Sequence, residues 1–281
     1  MSVATIRPYT ASDGARIACY DWAAEPAHGG RVRGVVLLVH GLGEHAGRYD
    51  ALAEELNRWG FSVRGYDQYG HGDSDGPRGT LPHERRLLDD LADLIGYTRA
   101  QHALAPLILL GHSLGGLVAA RLLAEQPRLA DGLVLSSPAF DAGLGFAQRA
   151  LIALLLRLAP DWAVSNGLDP AALSHDPAVV AAYRQDPCVH DRISARLARF
   201  IDASGPIVQA AAAHWAVPTL LLYAGADRLV DPRGAQRFAA AAPPALVEAH
   251  RFEPLYHETF NETHRQSVLL QLRRWLDARF P

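Results

Sequence analysis

Residues 109–116 read L-L-G-H-S-L-G-G, in which one serine lies between glycines. The G-x-S-x-G core follows a short apolar run typical of a buried strand and precedes a run typical of a helix. Gly111 and Gly115 let strand and helix approach closely, so the turn lifts the Ser113 hydroxyl clear of the backbone. The Leu114 amide then lies at the helix N-terminus, where it can stabilise an oxyanion. We predict that Ser113 is a nucleophile; the alternative is a tight turn with an incidental serine.

A serine nucleophile needs a base, and the base needs an orienting carboxylate. With a strand–turn–helix nucleophile, the chain order is serine, acid, histidine. Asp227 follows the predicted strand 219–224, at the strand end where open α/β sheets build their sites. Asp231 is the alternative acid, but it precedes Pro232 at a predicted helix start, which suits an N-cap. We therefore predict Asp227 as the acid.

Position selects the base from the thirteen histidines of the chain. Three of them follow the predicted strand 219–224. His250 lies within the next strand-like run, and His264 lies at the start of the last predicted helix. His257 lies in the loop between these two elements. A lone histidine is usually structural, but here the predicted site requires one, and His257 has the required position.

A second glycine-rich turn, H-G-L-G-E-H at residues 40–45, follows the predicted strand 35–39. In this arrangement the turn supplies the second backbone donor to the oxyanion. We predict that the Leu42 amide acts together with the Leu114 amide. The glycines also permit a tight turn, and the two interpretations are compatible because the same turn orients the amide.

The loop at residues 67–79 reads D-Q-Y-G-H-G-D-S-D-G-P-R-G. Asp67, His71 and Asp73 are side chains that can ligate a metal, but their pattern defines no binding geometry. Asp and Ser side chains in such loops commonly bond to backbone amides instead. We predict a structured loop and expect neither a metal nor an organic cofactor.

Strand-like and helix-like runs alternate over most of the chain, which predicts a mostly parallel sheet flanked by helices. Together with the serine turn, this pattern predicts an α/β-hydrolase fold. The alternation stops between residues 141 and 215, where an Ala-, Leu- and Arg-rich segment looks helical. We predict a core formed by residues 1–140 and 216–281, with residues 141–215 inserted as a helical cap.

Composition excludes several other classes of protein. The 281 residues are 49% hydrophobic and 20% charged, an ordinary globular balance, and the net charge of −3 gives no electrostatic basis for binding nucleic acid. Cys19 and Cys188 have no metal-type neighbours, so we expect free thiols in a reducing compartment. The N-terminus lacks a signal-peptide h-region, and the longest apolar run, 146–159, is too short to cross a bilayer. These features predict a cytoplasmic protein.

The motifs resemble the signature of monoacylglycerol lipases and related lysophospholipases. The resemblance rests on H-G-L-G-E-H-A-G-R-Y at 40–49, the 67–79 loop, G-H-S-L-G-G at 111–116 and S-S-P at 136–138. These stretches occur in family order and spread over nearly the whole chain. The first stretch is the most specific because it includes Glu44 and Arg48 at their family spacing.

The resemblance implies the same triad and the same oxyanion amides as the analysis of the residues. It also implies that Glu44 and Arg48 help form a polar pocket for the leaving alcohol, and that Tyr183 reaches this pocket from the cap. The alternative for Glu44 and Arg48 is an ion pair that holds the turn, and the alternative for Tyr183 is an aromatic side chain that packs within the cap. Phe260 departs from the animal members, which carry a second histidine there, so the resemblance implies no polar contact on that side.

The apolar run 146–159 either lines an acyl-chain tunnel or packs on the rest of the cap. If exposed, it can touch a membrane or micelle transiently. The expected reaction is hydrolysis of a monoacylglycerol to a fatty acid and glycerol. The alternatives are a lysophospholipase or general carboxylesterase with the same triad, transfer of the acyl group to another alcohol, a peptidase and a non-catalytic ligand-binding protein.

Overall fold

A computed structural model describes residues 4–25 and 32–281. The strands in this part of the chain are β1 (Thr5–Thr10), β2 (Arg16–Trp22), β3 (Gly34–Val39), β4 (Phe61–Tyr66), β5 (Leu107–His112), β6 (Gly132–Ser136), β7 (Ala163–Ser165), β8 (Arg192–Ser194), β9 (Thr219–Ala224) and β10 (Val247–Phe252). The α-helices are α1 (Asp50–Arg58), α2 (Arg86–Gln101), α3 (Leu114–Glu125), α4 (Phe146–Leu158), α5 (Pro177–Gln185), α6 (Ala195–Ala211), α7 (Pro232–Ala241) and α8 (Arg265–Arg279).

Eight of the described strands form one sheet in the order β1-β2-β4-β3-β5-β6-β9-β10. Strand β2 is antiparallel to both β1 and β4, whereas β4, β3, β5, β6, β9 and β10 run parallel. The carboxyl ends of β3, β5, β9 and β10 therefore meet at one edge of the sheet. This topology confirms the predicted mostly parallel α/β-hydrolase fold.

Helices cover both faces of the sheet, which explains the apolar sequences of the central strands. Every residue of β3, β5, β6 and β9 is buried. One face packs against α2, α3 and α6, through residues such as Leu91, Leu117 and Val208. The other face packs against α1 and α8, through residues such as Leu56 and Leu272. The sheet is thus a rigid base for the loops at its carboxyl edge.

The segment predicted to be a cap contains α4, α5 and α6, together with a short antiparallel pair formed by β7 and β8. The pair was not expected, because the sequence pattern indicated only helices there. Helix α4 has no buried residue. Helix α6 packs against both α3 and α4. The boundaries 141 and 215 stay a prediction.

Among the described residues, no helix combines the length and the apolarity needed to cross a bilayer.

Candidate active site

Ser113 lies in the tight turn between β5 and α3, with backbone angles φ 52° and ψ −117°. A non-glycine residue rarely adopts a positive φ, so this turn is strained. A Cβ atom on Gly115 would lie 2.0 Å from the carbonyl oxygen of Val39, and one on Gly111 would lie 2.6 Å from that of Gly115. Only glycine fits at these two positions. Close packing of α3 against β3 and β5 thus holds the serine in its strained conformation.

Asp227 and His257 are joined by a hydrogen bond of 2.7 Å between Oδ2 and Nδ1. Asp227 follows β9 and His257 follows β10, so neighbouring strands bring the two side chains together. The other carboxylate oxygen of Asp227 accepts bonds from the amides of Leu229 and Val230, at 2.9 and 3.0 Å. The carboxylate is therefore fixed, and it orients the imidazole with Nε2 as the free ring nitrogen.

The pKa values of this pair are shifted in opposite directions. Burial would raise the pKa of Asp227, but the charge of His257 and the hydrogen bonds to the carboxylate hold it below its usual value. Burial would lower the pKa of His257, but the charge of Asp227 and their hydrogen bond raise it above the ordinary imidazole value. The geometry therefore favours an imidazole that gains a proton readily while the carboxylate stays ionised.

Ser113 and His257 line the same two cavities. The neighbouring residue His112 packs its ring against that of His257, with centroids 4.7 Å apart. Burial, followed by the charge of His257, lowers the pKa of His112 to about 4. Because His112 is uncharged at neutral pH, His257 is the imidazole of this pair that can exchange protons there.

The alternative acid and bases lie in other settings. Asp231 caps α7, where its carboxylate accepts a bond of 2.9 Å from the Arg233 amide. His250 bonds to Glu248 on an exposed part of β10, and His264 directly precedes α8. None of these three residues lines either cavity at Ser113.

The turn after β3 places Leu42 beside Ser113, and Leu42 lines both cavities. Its neighbours are held on both sides. The Gly41 amide donates to Glu44 Oε1 at 2.6 Å, and the Gly43 carbonyl accepts from the His190 amide at 2.9 Å. Leu114 is the first residue of α3, so its amide has no acceptor within the helix. Both amides predicted as oxyanion donors thus belong to the walls around Ser113.

Arg48 lies between two buried carboxylates. Its Nη1 is 2.5 Å from Glu44 Oε2, and its guanidinium forms two bonds to Glu258, at 2.7 and 2.9 Å. Tyr49 donates to the other oxygen of Glu44 at 2.7 Å. Glu44 and Glu258 line the cavity next to Ser113, whereas Arg48 lies behind them. Glu44 therefore both pairs with Arg48 and faces the cavity.

Glu258 was missed by the sequence analysis. Its partner Arg48 lies 210 positions away, so no local pattern links the two residues. The only available signal was its place directly after His257.

Tyr183 on α5 also lines this cavity, and its ring lies 4.7 Å from the Arg48 guanidinium carbon. It therefore joins α5 to the Glu44–Arg48–Glu258 network through a cation–π contact.

Asp67 organises the loop that raised the possibility of a metal. Its carboxylate accepts bonds from the Ala46 and Asp73 amides, both at 2.8 Å, and from the Tyr20 hydroxyl at 3.1 Å. His71 Nδ1 bonds to the Tyr69 carbonyl. This is the hydrogen bonding of the structured loop predicted from the sequence.

The two cavities at Ser113 differ in character. The first, of about 180 Å³, is lined by polar side chains that include Glu44, Tyr183 and Glu258. The second, of about 300 Å³, extends under α4 and is lined mainly by apolar side chains, among them Ile152, Leu155 and Ile193. A serine between an apolar and a polar cavity is suitably placed to act as the nucleophile on an ester that has one apolar and one polar part.

Comparison with known proteins agrees with this arrangement. The family described as "Serine aminopeptidase, S33" (Hydrolase_4) matches residues 30–264. A monoacylglycerol lipase of Mycolicibacterium smegmatis is 36% identical over 247 residues, covering 87% of this chain and 88% of the relative. The monoglyceride lipase of Rattus norvegicus is 30% identical, covering 95% of this chain and 89% of the relative.

The chain belongs to the monoacylglycerol lipase family. It is a hydrolase that acts on esters. The crystal structure of the Paleococcus ferrophilus monoacylglycerol lipase superimposes with a TM-score of 0.84 at 33% identity, covering 94% of this chain and 99% of that one. The similarity therefore extends over nearly the whole chain.

Phe260 is the residue at which the sequence analysis expected a departure from animal relatives. Its ring is buried in the core cluster that also contains α8 residues. Phe260 therefore offers no polar group to the cavity. Glu258, two residues earlier, is the polar side chain that this loop contributes beside His257.

Proposed function

We propose that the protein hydrolyses monoacylglycerols to a free fatty acid and glycerol through an acyl-enzyme on Ser113. The observation that carries this proposal is the position of Ser113 and His257 between an apolar cavity of about 300 Å³ and a polar one of about 180 Å³. The acyl chain occupies the apolar cavity and the glycerol occupies the polar cavity. The names of two similar relatives, a monoacylglycerol lipase and a monoglyceride lipase, support the same substrate.

In the proposed acylation step, His257 Nε2 takes the proton of Ser113 as Oγ attacks the ester carbonyl. The Leu42 and Leu114 amides donate to the tetrahedral oxyanion, and losing one such donor typically costs about 3 kcal/mol of transition-state stabilisation. The intermediate collapses as His257 returns its proton to the leaving glycerol oxygen. The products of this step are glycerol and the acyl ester of Ser113.

In the deacylation step, His257 takes a proton from water, which attacks the acyl-enzyme. The second tetrahedral intermediate collapses to a fatty acid as His257 returns its proton to Ser113 Oγ, which restores the hydroxyl and the neutral imidazole. Asp227 keeps Nδ1 protonated, as their 2.7 Å bond requires, and stabilises the imidazolium in both steps. These steps require no metal or organic cofactor.

A substrate panel tests this function. The purified protein is assayed with monoacylglycerols, lysophospholipids and short p-nitrophenyl esters, with Ser113→Ala as the inactive control. We expect the highest kcat/KM for a monoacylglycerol and labelling of Ser113 by a fluorophosphonate. A higher kcat/KM for lysophospholipids or short esters would show that monoacylglycerol is not the preferred substrate. An unlabelled, inactive protein would contradict the enzymatic mechanism.

We also propose that residues 141–215 act as a cap that touches membranes or micelles transiently. Helix α4 lines the apolar cavity on one side, and its end residues Phe146 and Leu158 are 88% and 73% exposed. Trp162, which lines the same cavity, is 62% exposed. Contact of these side chains with a lipid surface would bring the cavity close to its substrate. The cytoplasmic location stays a prediction from the sequence.

A further inference from the structure

The polar cavity next to Ser113 is rich in carboxylates. Its acidic lining residues are Glu44, Asp169, Asp186, Asp191 and Glu258, and Arg184 is the single arginine of the lining. The apolar cavity on the other side of Ser113 is lined by none of these six charged residues. The charged side chains around Ser113 therefore lie in the cavity that we assign to the leaving group.

The two innermost carboxylates are only partly neutralised. Glu44 and Glu258 are 3% and 4% exposed, and they share the single guanidinium of Arg48. Arg48 is directed at these carboxylates and at the Tyr183 ring, so it presents no free N–H face to a ligand in the cavity. One positive charge against two negative charges leaves an excess negative charge in a site with little water to screen it.

The histidines around the cavity do not restore the balance. Burial, followed by the charge of His257, lowers the pKa of His112 to about 4. Burial, followed by the charge of Arg78, lowers the pKa of His190 to about 4. Both rings are uncharged at neutral pH. The imidazole with a raised pKa is His257, and its nearest partner is the carboxylate of Asp227.

We infer that this cavity selects substrates by the charge of the leaving alcohol: it accepts uncharged and cationic head groups, rejects anionic ones, and depends on Glu258 for that choice. The inference rests on the proposed function, because it assigns the polar cavity to the leaving group. A phosphate on the glycerol would lie among five carboxylates and lose its water, and the exposed Arg184 is the single arginine of the lining that could pair with it. A glycerol hydroxyl donates to the same carboxylates without that penalty.

Esters with one acyl chain and different head groups test the inference. The substrates are a 1-monoacylglycerol, the matching 1-acylglycerol 3-phosphate and the matching acylcholine, whose head group is also charged but has the opposite sign. The p-nitrophenyl ester of the same acid reports on the triad and the acyl cavity alone. We expect kcat/KM for the phosphate substrate to be at least about 100-fold below the other two head-group esters.

Each result of this panel has one interpretation. Similar kcat/KM values for all three head groups would overturn the inference. Equal rejection of the phosphate and the acylcholine would also overturn it, because size rather than charge would then be the filter. Loss of the p-nitrophenyl activity as well would mean that the proposed function itself has failed.

The role of Glu258 is tested by Glu258→Gln, with Glu253→Gln as the matched control. Glu253 lies on the same connection after β10, but its side chain is 70% exposed and lies outside the cavity. We expect Glu258→Gln to raise the phosphate-to-glycerol ratio of kcat/KM about tenfold, and the control to leave it unchanged. Each ratio is measured within one variant, so a general loss of activity cancels.

An unchanged ratio in Glu258→Gln would remove Glu258 from the proposal. If that variant fails to fold, Asp191→Asn removes a charge from a side chain that is 64% exposed. It should raise the same ratio by a smaller factor, and no change would contradict selection by charge.

Discussion

The turn around Ser113 and helix α4 face the same cavity but are built in opposite ways. Every residue of β5 is buried, and most residues of α3 are buried as well. Helix α4 has no buried residue, and it keeps several large apolar side chains at the surface. The serine turn is held by contacts that exclude even one methyl group, whereas α4 rests mainly on α6.

This difference separates chemistry from substrate access. A strained nucleophile needs surroundings that leave it no alternative conformation, and the packed sheet supplies them. A helix with few buried contacts unfolds or shifts locally at low cost, which would suit an entrance for the substrate. Variants in the serine turn should therefore lose catalysis or stability, whereas variants in α4 should lose binding to lipid surfaces.

The largest expected effect is in the core. Ser113→Ala should lower kcat about 10⁶-fold, because it removes the hydroxyl on which we propose that the acyl-enzyme forms. The melting temperature should not fall, since the change removes one hydroxyl from a strained position. Steady-state kinetics and thermal unfolding of the same preparation measure both. Substantial residual turnover would point to another nucleophile.

Asp227→Asn should lower kcat about 10⁴-fold and change its pH dependence. His257 must be neutral to accept a proton, so activity of the native protein falls as pH drops through its raised pKa. Removing the Asp227 charge lowers that pKa, which shifts the acidic limb of kcat/KM to lower pH. A pH–rate profile of both proteins checks the sign, and an unmoved acidic limb would argue against His257 as the base.

The packing of the serine turn is tested by Gly115→Ala. The added Cβ would lie 2.0 Å from the Val39 carbonyl oxygen, so the free energy of unfolding should fall by about 3 kcal/mol or more, with loss of activity. Gly96→Ala on α2 is the control because nothing lies within 4 Å of its added Cβ. There we expect a gain of roughly 1 kcal/mol. Equal tolerance of both changes in a denaturant titration would contradict the packing argument.

The smallest effect is expected on α4. Phe146 is 88% exposed and lines neither cavity, so Phe146→Ser should leave hydrolysis of a water-soluble ester unchanged. Binding to phospholipid vesicles should weaken by roughly tenfold at most, through the lost apolar side chain. Leu104→Ser is the control, because Leu104 is 82% exposed but precedes β5, at the edge of the sheet opposite Ser113. Equal vesicle binding by both variants would argue against the membrane contact.

The sequence predicted those features that show as a periodic pattern or as a short motif. Alternating strands and helices predicted the parallel sheet, and G-x-S-x-G predicted the strained turn at Ser113. Strand β1 and the β7–β8 pair were missed. Three-residue strands such as β7 and β8 have no measurable periodicity, and β1 alternates too weakly, with mostly exposed residues.

Site residues that depend on distant partners were less accessible to sequence analysis. Asp227 and His257 could be chosen because the fold fixes their order along the chain. Glu258 could not, because its place in the site is defined by Arg48 on a different loop. Such contacts are made by tertiary packing, and short-range patterns carry no information about them.

Helix α6 lies inside the predicted insertion, yet its side chains Leu197, Phe200 and Val208 belong to the same apolar cluster as α3. The space beside it is full, since a Cβ on Gly205 would lie 2.5 Å from the Phe140 carbonyl oxygen. Exchanging substrate specificity between relatives by grafting should therefore transfer residues 141–194 and leave α6 with the recipient. A graft that extends through α6 would also replace core residues that pack against α3, the helix that follows Ser113.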